Sequence, residues 1–147
     1  AIFLALGAVM YRLGSVQLSN FQGLGRQMPL TMAAIVVGGL SLIGVPLTVG
    51  FISKWYLLIA LLEQGWWPIA VLILLGSILA VIYVWRIVEV AYFKEPLANQ
   101  ALVKEAPILF LVPIWTLIIA NIYFGVDTRL SVQVAQSAAR SLFGVTP

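Results

Sequence analysis

The stretch LTMAAIVVGGLSLIGVPLTVGFISKWYLLIALLEQ, residues 30–64, constrains this chain more than any other. It is almost wholly apolar, it has the helix breakers Gly44, Pro46 and Gly50 near its middle, and its one interior charged residue is Lys54. A single continuous helix of this length would extend about 50 Å at 1.5 Å per residue, against a hydrocarbon core of about 30 Å. The segment must therefore cross a bilayer twice, with a tight turn at GVPLTVG, or cross once and be broken there. Basic residues decide between the two, because cytoplasmic loops collect positive charge. Arg12 and Arg26 flank one loop, Arg86, Lys94 and Lys104 surround another, and no basic residue lies between Lys54 and Arg86. One broken crossing puts both basic loops on the same side and the Glu63 turn on the other, whereas two crossings would separate the basic loops. The sequence thus predicts one discontinuous transmembrane helix over residues 30–64.

The composition sets the same scene, with 63% hydrophobic residues, 9% charged and a mean hydropathy of +1.09. Those values lie outside the range of a soluble domain. Cysteine and histidine are both missing, which removes disulfides, the common metal ligands and the usual near-neutral proton carrier. Neither a metal site nor a bound cofactor is expected. The net charge of +3 is scattered with no run of Lys or Arg, so nucleic acid is not an expected partner.

The remaining elements follow in order. Residues 1–13 read as the end of a longer transmembrane helix stopped by Gly14 and Ser15, and the chain as a C-terminal fragment. Residues 15–29 read as a polar surface loop broken by Gly23, Gly25 and Pro29. Residues 66–93 form a transmembrane helix with Trp66 and Trp67 at one end and Tyr83, Trp85, Tyr92 and Phe93 toward the other, as interfacial aromatic belts. An inner loop, 94–105, leads to a last span over 106–124, kinked at Pro113 and ending at Gly125. Residues 128–143 form an amphipathic helix, with Gln133, Gln136, Ser137 and Arg140 on one side and Val134, Ala135, Ala138 and Leu142 on the other. Having only Arg129 and Arg140, it suits docking on a partner subunit better than anchoring to lipid. On this count loops 15–29 and 94–105 are cytoplasmic and the C-terminus lies outside.

A charge in hydrocarbon costs about 2.5–3.5 kcal/mol or more, so Lys54 marks a candidate functional site. Snorkelling to an interface is the competing reading, and the depth of Lys54 behind Glu63 argues against it. Broken helices survive at membrane depth only inside protein or beside a water-filled cavity, and transporters use them at ion sites. On the helix Lys54 shares a face with Gly50, Leu58 and Leu61, while Glu63 points away, so its counter-charge is expected from another helix, within this chain or beyond it. A desolvated lysine gives up its proton when such a partner leaves and takes one up when it returns. Arg86 and Glu89, three apart, are read as a local pair that lowers the insertion cost, with contact to a proton path as the alternative. Gly38, Gly39, Ser41 and Gly44 allow close helix packing.

The run GLSLIGVPLTVGFISKWY, with its G-x-P-x-x-x-G-F-x-x-K core from Gly44 to Lys54, resembles the antiporter-like proton-conducting subunits shared by respiratory complex I and the Mrp-type multisubunit sodium/proton antiporters. Its surroundings look most like the D-type member of the antiporter's subunits. The resemblance implies an all-α integral membrane fold of fourteen helices in two inverted repeats, of which this chain would be the C-terminal part: the end of the eleventh helix, the broken twelfth, the thirteenth and the fourteenth. It places Lys54 on the ionisable position of the broken twelfth helix, the terminal residue of the family's proton path. The family's histidine and lysine in an H-x-x-x-K-A pattern fall upstream of Ala1, as do the glutamate and lysines of the first repeat. The chain would then hold an exit portion of a proton path, with no quinone, flavin or NADH site and no catalytic site of its own.

The implied function is proton translocation in a multisubunit monovalent cation/proton antiporter, within a hetero-oligomeric complex of a bacterial plasma membrane that handles protons and sodium or another monovalent cation. One alternative is the homologous proton-pumping subunit of an NADH-quinone oxidoreductase. The other is a structural membrane subunit that does not conduct.

Overall fold

The computed structural model describes residues 1–96 and 103–143, and among them every regular element is helical. The helices are α1 (Ile2–Leu13), α2 (Leu24–Gln27), α3 (Pro29–Ile43), α4 (Val49–Glu63), α5 (Trp67–Val88), α6 (Ile108–Val126) and α7 (Arg129–Phe143). A 3₁₀ turn covers Leu18–Phe21, and α5 runs on into a π-helical turn, Glu89–Phe93. Together α5 and its π turn make a predominantly apolar segment of 27 residues and α6 one of 19, each long enough to cross a bilayer. Neither α3 nor α4, at 15 residues each, reaches across alone. They lie in succession along α5: Gly39 of α3 faces Val84, and Lys54 of α4 reaches Ser77 further along the same helix.

Helix α3 is the centre of the bundle. It packs on α1, α5 and α6 through Met32, Ala34 and Ile35, together with Val9 of α1 and Ile114 and Ile118 of α6, all buried. Lipid offers no hydrophobic drive between helices, so contact depends on how closely backbones approach. A Cβ on Gly38 would come within 2.6 Å of the Ile2 side chain, and one on Gly39 within 2.8 Å of Val84. The small residues of α3 therefore set its distance from both neighbours. The outward faces carry Leu72, Leu79, Ile82 and Trp85 on α5 and Ile108, Leu109, Val112 and Ile119 on α6, all exposed. Such an apolar exterior over helical backbone is what a bilayer accepts.

Residues 15–29 differ from the expected surface loop. Phe21, Leu24 and Met28 are buried in the same core as Met32 and Val90, and Gly25 lies against the Tyr92 ring with 2.6 Å to where a Cβ would be. Apolar residues at spacings of three and four form a short amphipathic turn that closes one end of the bundle, so the Gly residues here permit packing as well as turning. Pro29 takes the first position of α3, where its missing N–H would have had no partner. Of the loop 94–105, residues 97–102 lie outside the described residues.

Helix α6 contains Pro113, whose ring removes the bond to the carbonyl of Leu109. Gly125 stays inside this helix, which runs on to Val126. Helix α7 follows, the Arg129 N–H donating to the Asp127 carboxylate at 3.2 Å. Gln133, Val134, Ala135, Ser137 and Ala138 are all exposed, and the side chains of Gln136, Arg140 and Leu142, on which the expected two-sided pattern partly rests, lie outside the described residues.

Candidate functional site

The junction between α3 and α4 is built from the residues that end one helix and begin the next. Gly44 closes α3 in the left-handed region at φ +91°, which lets its N–H donate to the Ser41 carbonyl at 3.1 Å and the Val45 N–H donate to the Leu40 carbonyl at 3.0 Å. This is a Schellman arrangement, favoured by a residue without a Cβ. Pro46 and Leu47 then form the tip of a tight turn, closed by the Thr48 N–H donating to the Val45 carbonyl at 3.3 Å. Leu47 has φ +76°, a position of such turns that usually requires glycine. The Thr48 hydroxyl donates to the Val45 carbonyl at 2.7 Å, which fixes the turn from inside.

Gly50 does not break the helix. It is the second residue of α4, and a Cβ there would overlap the Ser41 carbonyl oxygen, so its role is to let the first turn of α4 lie against the last turn of α3. Gly125 acts likewise from α6: a Cβ would come within 2.5 Å of the Leu47 carbonyl oxygen and of the Thr48 backbone. The turn therefore rests on bare α6 backbone.

Four carbonyls at the end of a helix lack intrahelical partners. The Schellman bonds satisfy those of Leu40 and Ser41, leaving those of Leu42 and Ile43. Lys54 supplies the missing donors: its Nζ donates to the Leu42 carbonyl at 2.6 Å and to the Ile43 carbonyl at 3.0 Å. Its third bond goes to the Ser77 hydroxyl of α5 at 2.7 Å, and that hydroxyl donates onward to the Ile73 carbonyl at 3.3 Å. All three ammonium donors are occupied by neutral oxygens, and the partial negative charge of the α3 C-terminus attracts the cation. The counter-charge expected from another helix does not appear among the described residues, where Lys54 has no carboxylate partner. A cavity of about 260 Å³ adjoins the ammonium, lined by Ile43, Gly44, Phe51, Leu58, Ile73 and Ser77 among others.

The other end of α3 mirrors this. The Glu105 carboxylate accepts from the Leu30 N–H at 2.8 Å and from the Thr31 hydroxyl at 2.6 Å, while Arg12 of α1 donates to the Glu105 backbone carbonyl at 2.7 and 3.1 Å. An anion thus caps the positive end of the helix and a cation its negative end. Near the break, Ser41 donates to the Asn121 side-chain oxygen at 2.9 Å, and the Asn121 Nδ2 is buried without a partner.

Of the residues singled out from sequence, Gly44, Pro46, Gly50 and Lys54 come together. Arg86 and Glu89 pair locally at 2.8 Å, the Arg86 side chain exposed and that of Glu89 partly buried, at the start of the π turn. Arg86 is nine residues from Ser77, about 13.5 Å along the helix, so the pair stands apart from the break. Ser77, Asn121 and Glu105 are not marked as partners in the sequence, where the first two are lone polar residues in apolar runs and Glu105 is one of several charges in a loop.

Comparison with known proteins finds likeness to subunits of membrane complexes. The family model described as NADH:quinone oxidoreductase/Mrp antiporter, TM, matches residues 1–82. The NADH-quinone oxidoreductase subunit N of Desulforudis audaxviator is 36% identical over 136 residues, covering 84% of this chain and 27% of that protein. Its namesake in Chlorobium chlorochromatii is 31% identical over 148 residues, covering 97% of this chain and 28% of that protein. The chain thus spans about a quarter of the length of these relatives. Among solved structures, the Mrp complex from Dietzia sp. DQ12-45-1b shares the fold, with a TM-score of 0.88 at 22% identity over 97% of this chain and 34% of the matched chain. The membrane-bound sulfane sulfur reductase, an archaeal respiratory membrane complex, matches with a TM-score of 0.76 at 31% identity, over 84% of this chain and 21% of its counterpart.

Proposed function

Because the chain belongs to the NADH:quinone oxidoreductase/Mrp antiporter transmembrane family, we propose that it serves in proton translocation, with Lys54 taking up and releasing the proton at the α3–α4 break. The observation that supports this reading is the solvation of Lys54. Its ammonium is held by dipoles and by no fixed anion among the described residues. Losing the proton therefore strands no buried carboxylate, which would otherwise cost several kcal/mol. A lysine held this way can change charge while the surrounding backbone stays in place.

The test is proton-coupled transport in sealed vesicles containing equal amounts of assembled complex with the full-length subunit. Lys54→Ala should abolish transport. Lys54→Arg should abolish it too, since a guanidinium keeps its proton at any accessible pH. Near-normal transport by the Arg variant would make Lys54 a fixed charge that merely caps α3, and normal transport by the Ala variant would leave only the structural reading.

Two drives fit such a subunit. The relatives named NADH-quinone oxidoreductase subunit N favour a redox-driven complex, in which quinone chemistry elsewhere moves the proton here. The surroundings of the Gly44–Lys54 motif, with their likeness to the D-type antiporter subunits, support exchange against sodium or another monovalent cation. Vesicle acidification started by a quinone and its reductant, or by a sodium gradient, separates the two. Under either drive the chain sits among other membrane subunits, with residues 15–29 and 94–105 on the cytoplasmic side and α7 set against a partner.

A further inference from the structure

Resting on the reading of Lys54 as the proton carrier, we propose that Ser77 is its positioning residue, a hydroxyl that reverses its hydrogen bond each time Lys54 changes charge. An ammonium has three donors and a neutral amine has two, plus a lone pair that accepts. The Leu42 and Ile43 carbonyls only accept, so the two N–H groups of the amine suffice for both and α3 stays capped in either state. Ser77 is the third partner, and its hydroxyl alone of the three can either accept or donate. Facing the ammonium it accepts at 2.7 Å and directs its own hydrogen to the Ile73 carbonyl at 3.3 Å. When the ammonium passes its proton to a water molecule in the adjoining cavity, forming hydronium, the Ser77 hydrogen turns from Ile73 to the amine lone pair. No heavy atom need move, and every polar group at the end of α3 is satisfied before and after.

Other groups do not take this part. Helix α3 has no ionisable side chain, α6 has only Tyr123, and α4 has Tyr56 and Glu63 besides Lys54. Helix α5 has Tyr83 and Arg86, with Glu89 and Tyr92 in its π turn, and Tyr83 is six residues from Ser77, about 9 Å along the helix. None of these bonds to Lys54.

Thr and Val have nearly the same shape and differ by the hydroxyl, so Ser77→Thr and Ser77→Val form the decisive pair, with Ser77→Ala as a smaller variant. Each is measured for proton-coupled transport across a pH series, per assembled complex containing the full-length subunit, beside Lys54→Ala. Ser77→Thr should keep the wild-type rate within about twofold. Ser77→Val and Ser77→Ala should lose about tenfold or more, with the pH profile displaced toward acid, because the charged donor loses a stronger bond than the neutral amine does. Equal rates and unshifted profiles for Thr and Val would overturn the role of Ser77 while Lys54→Ala remained inactive. Normal transport by Lys54→Ala would instead remove the carrier reading itself.

Discussion

Lys54 and Glu105 cap opposite ends of one helix, and each comes from a different part of the chain. The Leu30 N–H and the Thr31 hydroxyl both depend on the Glu105 carboxylate, which is half-buried. Glu105→Ala should lower the stability of the assembled complex by about 1–2 kcal/mol, the usual cost of losing an N-terminal cap. Glu105→Gln keeps an acceptor but loses the charge, and should cost less, about 0.3–1 kcal/mol. Thermal unfolding in detergent of the two variants measures both; a Gln variant as stable as the wild type would show that the charge itself contributes nothing, and equal losses would assign the whole effect to the charge. Lys54 was legible in the sequence because a charge inside an apolar run stands out whatever surrounds it. Its partners were not, since Ser77 is 23 residues away and the two carbonyls belong to backbone that any residue would supply. Glu105 reaches Leu30 across 75 residues, and Ser41 reaches Asn121 across 80. Packing creates these pairs, and no spacing announces them.

At the scale of elements, the excess length of residues 30–64 and the three breakers were enough to locate a discontinuity, and the structure divides the segment at Gly44–Thr48. What each breaker does was less legible. Gly44 needs its left-handed backbone and Pro46 its turn, but Gly50 is required by contact with α3, a reason that exists only once the first turn of α4 meets the last turn of α3. Residues 15–29 look like a surface loop because polar residues and glycines outnumber the apolar ones, although Phe21, Leu24 and Met28 carry helical spacing. A single crossing by α3 and α4 has a direct test, eased by the absence of cysteine from residues 1–147. Cysteines placed at Ser19 and Lys94, both exposed, should react with an impermeant reagent from the same side, and one at Gln64 from the opposite side. Reaction at Ser19 and Lys94 from different sides would mean two crossings.

Among the described residues α3 has an anion at one end and a cation at its broken end, inside an exterior that is apolar over α5 and α6. The two half-helices have 15 residues each, so the break divides the crossing into parts of similar length, with the Lys54 ammonium at the seam. On a single crossing, as proposed, about half of the membrane voltage would fall between Lys54 and either face. A unit charge moved through the full potential changes by about 2.3 kcal/mol per 100 mV, so a proton arriving at Lys54 feels about 1.15 kcal/mol. That corresponds to roughly a sevenfold change in occupancy, or about 0.8 pH unit. In vesicles held at imposed potentials, the pH midpoint of transport should therefore move by about 0.8 unit per 100 mV. A slope near zero, or near twice that value, would put the ammonium close to one surface. On the proposed reading Lys54 would sit at half electrical depth, where voltage and pH act as interchangeable inputs and the proton is loaded or emptied according to the sum of the two.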